Sequence, residues 1–331
     1  MKKALFIMNE TLIDEVYDVE AQEKIRQNFN VLNEPLTKDN YLEYIELLTE
    51  VEVIFSGWGA PKFDKYFLNR APNLEAIFYA GGTMKALLTD EVWGRDITIT
   101  TANTANAVPV AEYALSQILF SLKNGWQITR KVREDREFSF NQYKMLGAYN
   151  RTIGLVSLSQ VGRKTIELLK PFDLEIIAYD PFVDEDEAVK LGIQLVSLEE
   201  LFKTAHIISL HTPLLPETEG MITGDLLATM KTDGTFINTA RGSIVKEDEL
   251  IDVLKKRDDL TAILDVTHPE PPITDSPLYD MDNIVITPHI AGSAGSEVAR
   301  MGKMVTDEAI RYINQEPLKY QISKKDYRTM A

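Results

Sequence analysis

Residues 150–182 read NRTIGLVSLSQVGRKTIELLKPFDLEIIAYDPF. The run Thr152 to Val156 is short and rich in β-branched residues. Val161, Ile166, Leu168 and Leu169 then recur at roughly helical spacing until Pro171 stops the segment, and a second apolar run ends at Asp180. The order predicts strand, turn, helix, strand, a parallel βαβ unit.

In a dinucleotide-binding unit such a turn carries G-x-G-x-x-G, which brings backbone close to a pyrophosphate and faces a helix N-terminus toward its charge. An acid about 20 residues on accepts from the ribose hydroxyls. Here the turn is Ser157-x-Ser159-x-x-Gly162, so only the glycine that permits close helix–strand packing is kept. Serines, the next smallest side chains able to hydrogen-bond a phosphate, take the first two positions. Asp180 lies 18 residues after Gly162, and no Lys or Arg follows it until Lys190. A 2′-phosphate would meet a negative charge with no nearby cation, which points to NAD over NADP. The competing reading of Asp180 is a strand-end cap before Pro181.

The unit sits in a chain of 331 residues, longer than one core usually organises, so two domains are expected. The composition, 44% hydrophobic and 26% charged without low-complexity tracts, is that of a globular protein. A net charge of −16 argues against nucleic acid and anionic membrane surfaces as partners. The opening MKKALFIMNE has too short an apolar run for a signal peptide and reads as a first buried strand. With no membrane-length apolar stretch and no cysteine, the expected location is cytoplasmic.

Residues 1–102 alternate short apolar strands (ALFIM, 52–55, 75–79, 97–101) with helical segments at 38–50 and 61–70. Residues 103–106 turn small and polar, and Val110 to Asn124 then runs free of Pro and Gly as a long helix. It reads either as a link into a second domain with a subunit-contact surface, making the protein a homodimer, or as a plain core helix. From 150 a second α/β series continues through strands near 193–196, 206–210, 235–239, 261–266 and 284–287, with a capping box at Ser197-x-x-Glu200. Residues 296–314 form one amphipathic helix, followed by a polar tail. If that helix returns to the first domain, the domains are 1–102 with 295–331, and 103–294.

All four histidines lie in the second series, at 206, 211, 268 and 289. His206 opens a strand and reads as a satisfied core or edge residue. His211, in His-Thr-Pro, falls at the carboxyl edge of the sheet and should face the crevice. His289, in ITPHIAG, follows a buried strand at the same edge. Arg241 follows the strand TFINTA, and Glu270 follows TAILDV. Three successive strands therefore end in a group that binds a carboxylate with two parallel hydrogen bonds, an acid, and a proton-transfer group. No histidine pair has the spacing of metal ligands.

These segments (VAEYALSQILFSLK, YDPF, SLHTPLLPET, INTARGSIV, LDVTHPEPP and ITPHIAGS) stand in an order and spacing that resembles the D-isomer-specific 2-hydroxyacid dehydrogenases over nearly the whole chain. The resemblance implies α/β architecture with two parallel-sheet domains, Rossmann-like and flavodoxin-like, the first discontinuous and completed by the C-terminal helix. It implies Arg241, Glu270 and His289 as catalytic residues. The cofactor NAD would lie against Ser157, Ser159, Gln160, Val161, Gly162, Asp180, Thr212, Pro213, Thr239, Ala240, Asp265 and Gly292. A 2-oxo or 2-hydroxy acid would lie against Gly81, Gly82 and Arg241. The departure is the pair Ser157 and Ser159. It motivates one alternative, a non-catalytic NAD-sensing or corepressor-like protein on the same scaffold. A formate dehydrogenase is a second, against which Glu270 argues because that enzyme has Gln there. The substrate side chain is not legible; Trp58 reads either as a cleft residue favouring an apolar acid or as a packed one.

Overall fold

The computed structural model describes residues 1–32, 35–138 and 145–330. The chain divides into two compact units, residues 1–107 with 293–330, and residues 108–292. Among the described residues no helix is long and apolar enough to cross a membrane.

The first unit holds a five-stranded sheet built from β1 (Lys3–Ile7), β2 (Asn30–Val31), β3 (Val53–Ser56), β4 (Ala76–Tyr79) and β5 (Thr98–Thr101), in the order β2-β1-β3-β4-β5. Every pairing is parallel. Parallel sheets are covered on both faces, and the side chains obey this. Phe6, Phe55 and Phe78 enter one cluster, while Leu5, Ile54 and Ile77 enter the other. The first cluster is closed by the helix Val298–Ile313, whose Met301, Val305 and Ala309 are fully buried. Gly302 lets that helix approach, because a Cβ there would lie 1.7 Å from the Val16 carbonyl oxygen.

The second unit holds seven strands: β6 (Arg151–Val156), β7 (Leu174–Tyr179), β8 (Gln194–Leu195), β9 (Ile207–Leu210), β10 (Thr235–Asn238), β11 (Thr261–Leu264) and β12 (Ile284–Ile286). Their order is β12-β11-β10-β9-β6-β7-β8, all parallel. The order reverses between β6 and β9, and a doubly wound sheet opens its ligand crevice at the carboxyl ends of such a pair. The expected α/β architecture with two parallel sheets is therefore present.

Two expectations are corrected, the bounds of the long helix and the capping box. The long helix spans Asn103–Ser121 rather than starting at Val110. Pro109 lies inside it, and the small residues before Pro109 are helical although they read as a break. The helix stops before Asn124, whose φ of 50° ends it, and Gly125–Asp135 is a separate helix. Only half of the expected capping box forms: Ser197 accepts from Glu200 N at 3.1 Å, but the Glu200 carboxylate accepts from Thr204 Oγ1 instead. The polar tail is folded. Gln321 bridges Thr100 antiparallel, Ile322 is buried, and the Tyr327 hydroxyl donates to the carbonyls of Lys85 and Leu88 at 3.1 Å. Finally, β2 has only two residues and carries no periodicity of its own.

Candidate active site

The turn after β6 is built around one close contact. The helix Gln160–Leu169 begins so near the strand end that a Cβ on Gly162 would lie 2.3 Å from the Ser157 carbonyl oxygen. Gly162 is therefore required at that position. Ser157 has φ +79°, a left-handed conformation that favours glycine and costs another residue on the order of 1 kcal/mol. Its hydroxyl donates to Asp180 Oδ2 at 3.2 Å, Leu158 N donates to the same oxygen at 2.7 Å, and Phe182 N donates to Oδ1 at 2.9 Å. Asp180 thus caps the strand end as well as facing the turn.

Ser159 is the N-cap of the helix. Its hydroxyl accepts from Gly162 N at 3.5 Å and donates to the His211 carbonyl at 2.8 Å. Gln160 and Val161 open the helix, and their N–H groups have no intrahelical acceptor. That end is a site for an anion. Across the switch point, His211 N and Thr212 Oγ1 both donate to the Val156 carbonyl. Pro213 follows and its carbonyl accepts from Thr218 Oγ1. The His211 ring does not face the crevice as expected. It is 4% exposed, neither ring nitrogen has a partner, and burial pulls its pKa down to about 4. His206, by contrast, accepts at Nδ1 from Thr152 N at 3.2 Å.

At the next three strand ends, side chains converge. After β10, Thr239 is buried with its hydroxyl unpartnered, Ala240 N donates to Asn238 Oδ1, and Arg241 follows. The Arg241 guanidinium donates to the Ala240 carbonyl at 2.5 Å. Burial pulls its pKa below the ordinary value, and the negative charge of Glu270 opposes this, so the two groups lie within electrostatic reach. Gly242 holds the two loops together, since a Cβ there would lie 2.0 Å from the Thr267 carbonyl carbon and oxygen. The segment leading to Glu270 is tied down by His268 N donating to Glu247 Oε2 at 2.8 Å.

His289 follows β12 with φ +55°, an uncommon conformation for its type. Asp265, at the end of β11, holds it there. The Asp265 carbonyl accepts from His289 N, Oδ1 accepts from Ile290 N and Thr287 Oγ1, and Oδ2 accepts from Ala291 N. Gly292 ends this loop and the unit. Tyr113, on the helix Asn103–Ser121, reaches Thr287 Oγ1 at 2.8 Å; because Thr287 gives its proton to Asp265, the tyrosine is the donor. The His289 ring then meets Glu270 through Nδ1···Oε1 at 2.6 Å. A carboxylate only accepts, so Nδ1 carries the proton and Nε2 is the atom left for a reactant. Both side chains are nearly half exposed, 47% and 42%, so the pair is open to a ligand.

In the first unit, Gly81 and Gly82 follow β4. A Cβ on Gly81 would strike the Tyr79 ring at 2.5 Å, and one on Gly82 would lie 3.3 Å from Asn106 Nδ2. Trp58 is partly buried and packs on the Phe6–Phe55–Phe78 cluster.

Residues 115–291 match the family model described as D-isomer specific 2-hydroxyacid dehydrogenase, NAD binding domain. The chain belongs to the D-isomer specific 2-hydroxyacid dehydrogenases. It is 30% identical over 282 residues to a D-3-phosphoglycerate dehydrogenase of Methanocaldococcus jannaschii, an alignment covering 85% of this chain and 53% of that protein. The chain thus spans about half the length of the curated relatives it matches. Solved dehydrogenases of similar fold match end to end. A phosphoglycerate oxidoreductase from Rhizobium etli shares the fold with a TM-score of 0.83 at 19% identity, over 98% of this chain and 99% of that one. An NAD-dependent formate dehydrogenase from Staphylococcus aureus, solved with NAD, gives a TM-score of 0.71 at 26% identity, over 97% and 98%. The turn fits the dinucleotide of this family. Three observations agree with it: the close contact at Gly162, the helix start at Gln160 and Val161, and the unpartnered buried Thr239 hydroxyl. Gly242, Glu247, Tyr113 and Thr287 were not singled out from the sequence, because their roles depend on close approach of loops distant in the chain.

Proposed function

We propose that this dehydrogenase interconverts a 2-oxo acid and a D-2-hydroxy acid with NAD(H), the 108–292 unit binding the cofactor and the 1–107/293–330 unit contributing to substrate binding through Gly81 and Gly82. The carrying observation is the 2.6 Å pairing of His289 Nδ1 with Glu270, with Arg241 at the end of the neighbouring strand β10. NADH held along Gln160, Val161 and Asp180 would be the source of the hydride for the 2-oxo carbon. Arg241 binds the substrate carboxylate through its planar fork and polarises the 2-oxo group. His289 gives its Nε2 proton to the carbonyl oxygen, and Glu270 offsets the charge of the protonated ring. In the reverse direction the ring takes the hydroxyl proton back. One hydride and one proton account for the reduction.

The cofactor would meet Gln160 and Val161 with its phosphates, Asp180 with a ribose, and Thr212, Pro213, Thr239, Ala240, Asp265 and Gly292 along the crevice edge. A pure binding protein has no use for a proton relay, which favours the enzyme over the NAD-sensing reading. We further read the protein as cytoplasmic and as a homodimer, the dimer reading supported by Phe120, exposed at 40% on the helix Asn103–Ser121. Purified protein assayed by NADH oxidation against a panel of 2-oxo acids tests the reaction, with sedimentation velocity for the dimer. Absence of turnover with every member, despite NAD binding by calorimetry, would return the protein to the binding class.

A further inference from the structure

We propose that Ser157 is a specificity-determining positioning residue whose hydroxyl locks the Asp180 carboxylate in the orientation that refuses a 2′-phosphate. The inference rests on the NAD reading above and concerns the residue where this turn departs from glycine.

A carboxylate has about four acceptor positions. Three on Asp180 are filled by protein donors: Ser157 Oγ at 3.2 Å and Leu158 N at 2.7 Å on Oδ2, and Phe182 N at 2.9 Å on Oδ1. The two backbone donors come from the turn and from the segment after the strand, so they anchor the two oxygens from different sides. Only the hydroxyl is a side-chain donor, and it sits on a residue held at φ +79°, where a glycine would be more comfortable. The side chain therefore brings no conformational advantage to the turn. What it brings is the hydrogen bond. With Asp180 held at three points, the carboxylate cannot swing aside to relieve contact with a phosphate on the neighbouring ribose oxygen. No Lys or Arg lies between Asp180 and Lys190 in the chain, and Arg163, on the helix after the turn, is engaged with Glu187 at 2.5 Å. Remove the hydroxyl, and each oxygen keeps one backbone donor, so the carboxylate stays in place but is held less tightly at Oδ2.

The test is calorimetric titration of the intact protein with NAD and with NADP, in wild type and in Ser157→Ala, Ser157→Gly and Asp180→Ala, beside thermal unfolding of each. Ala removes the hydroxyl and keeps the Cβ; Gly removes both and relieves the strain. The expected result is that Ala and Gly lower the preference for NAD over NADP by a similar factor, roughly 3- to 10-fold, the reach of one weakened charge-assisted hydrogen bond. Only Gly should raise the unfolding temperature. A preference that shifts in Gly alone would assign the effect to backbone strain and overturn the proposal. So would a preference unmoved in both variants while Asp180→Ala abolishes it. If Asp180→Ala also leaves the preference unmoved, it is the placement of the ribose at Asp180 that fails, and the proposal with it.

Discussion

Replacing Gly242 with alanine tests whether the three strand ends act as one site. The added methyl would lie 2.0 Å from the Thr267 carbonyl carbon and oxygen and 2.6 Å from His268 N. Ordinary contact begins near 3.4 Å, so one of the two loops must retreat by about 1.4 Å. Both contacting groups are backbone, so no side chain can rotate to absorb the clash. Gly242 is bonded to Arg241, and Thr267 is three residues before Glu270, so the retreat separates the guanidinium from the Glu270–His289 pair. A misplacement of about 1 Å among reacting groups costs on the order of 100-fold in rate, and overpacking costs about 1–3 kcal/mol of stability. The dinucleotide turn is untouched. Steady-state reduction of the best 2-oxo acid should therefore show kcat/KM falling roughly 100-fold, a larger loss than any in NAD affinity by calorimetry. A kcat/KM within about three-fold of wild type, a loss far below that expected for a displaced site, would refute the reasoning.

Arg241→Lys should lower kcat/KM by roughly 100-fold or more, raising KM and lowering kcat together, because an ammonium cannot make two parallel hydrogen bonds; steady-state kinetics decides it, and a near-normal value removes Arg241 from the site. The buried His211 supplies a pH prediction. Its folded pKa of about 4 lies below the value of 6.5 in the unfolded chain, so the unfolded state takes up the proton first as pH falls. Stability is unaffected above pH 6.5 and is lost progressively down to about pH 4, a cost of about 3 kcal/mol when complete. Chemical denaturation across that range should show a steeper decline for wild type than for His211→Asn, and parallel curves would mean that the ring is not held neutral. Tyr327→Phe removes a donor from two carbonyls and should lower stability by about 1 kcal/mol without changing cofactor affinity; an unchanged melting temperature would show the tail to be undocked in solution.

Much of this was legible because a parallel sheet imposes its geometry on sequence. Short β-branched runs must be strands, and their carboxyl ends must share an edge, so topology places Arg241, Glu270 and His289 at one edge of the sheet, and the side chains of Glu270 and His289 meet there. The Ser157 turn was readable for the same reason, but its φ was not: the residue type that fills a left-handed position says nothing when it is not glycine. Ser159 read as a phosphate ligand, yet its hydroxyl is engaged with Gly162 and His211. Tertiary proximity was the common obstacle. Gly242 is one glycine among 17 until Thr267 is seen against it. The tail from 315 reads as polar because its anchors, Ile322 and Tyr327, are too few to make a pattern.

The helix Val298–Ile313 covers strands and helices made well over 200 residues earlier in synthesis; Lys24 meets Asp307 across 283 positions, and Val16 waits for Gly302. On the ribosome the 108–292 unit has all of its sheet before that helix emerges. The first unit, begun first, must instead carry Phe6, Tyr17, Phe29 and Phe55 with one apolar flank bare until residues 298–313 arrive. The order of completion is the reverse of the order of translation. This makes residues 1–107 the segment most exposed to aggregation, and to chaperone capture, in a nascent chain stalled anywhere between the two crossings.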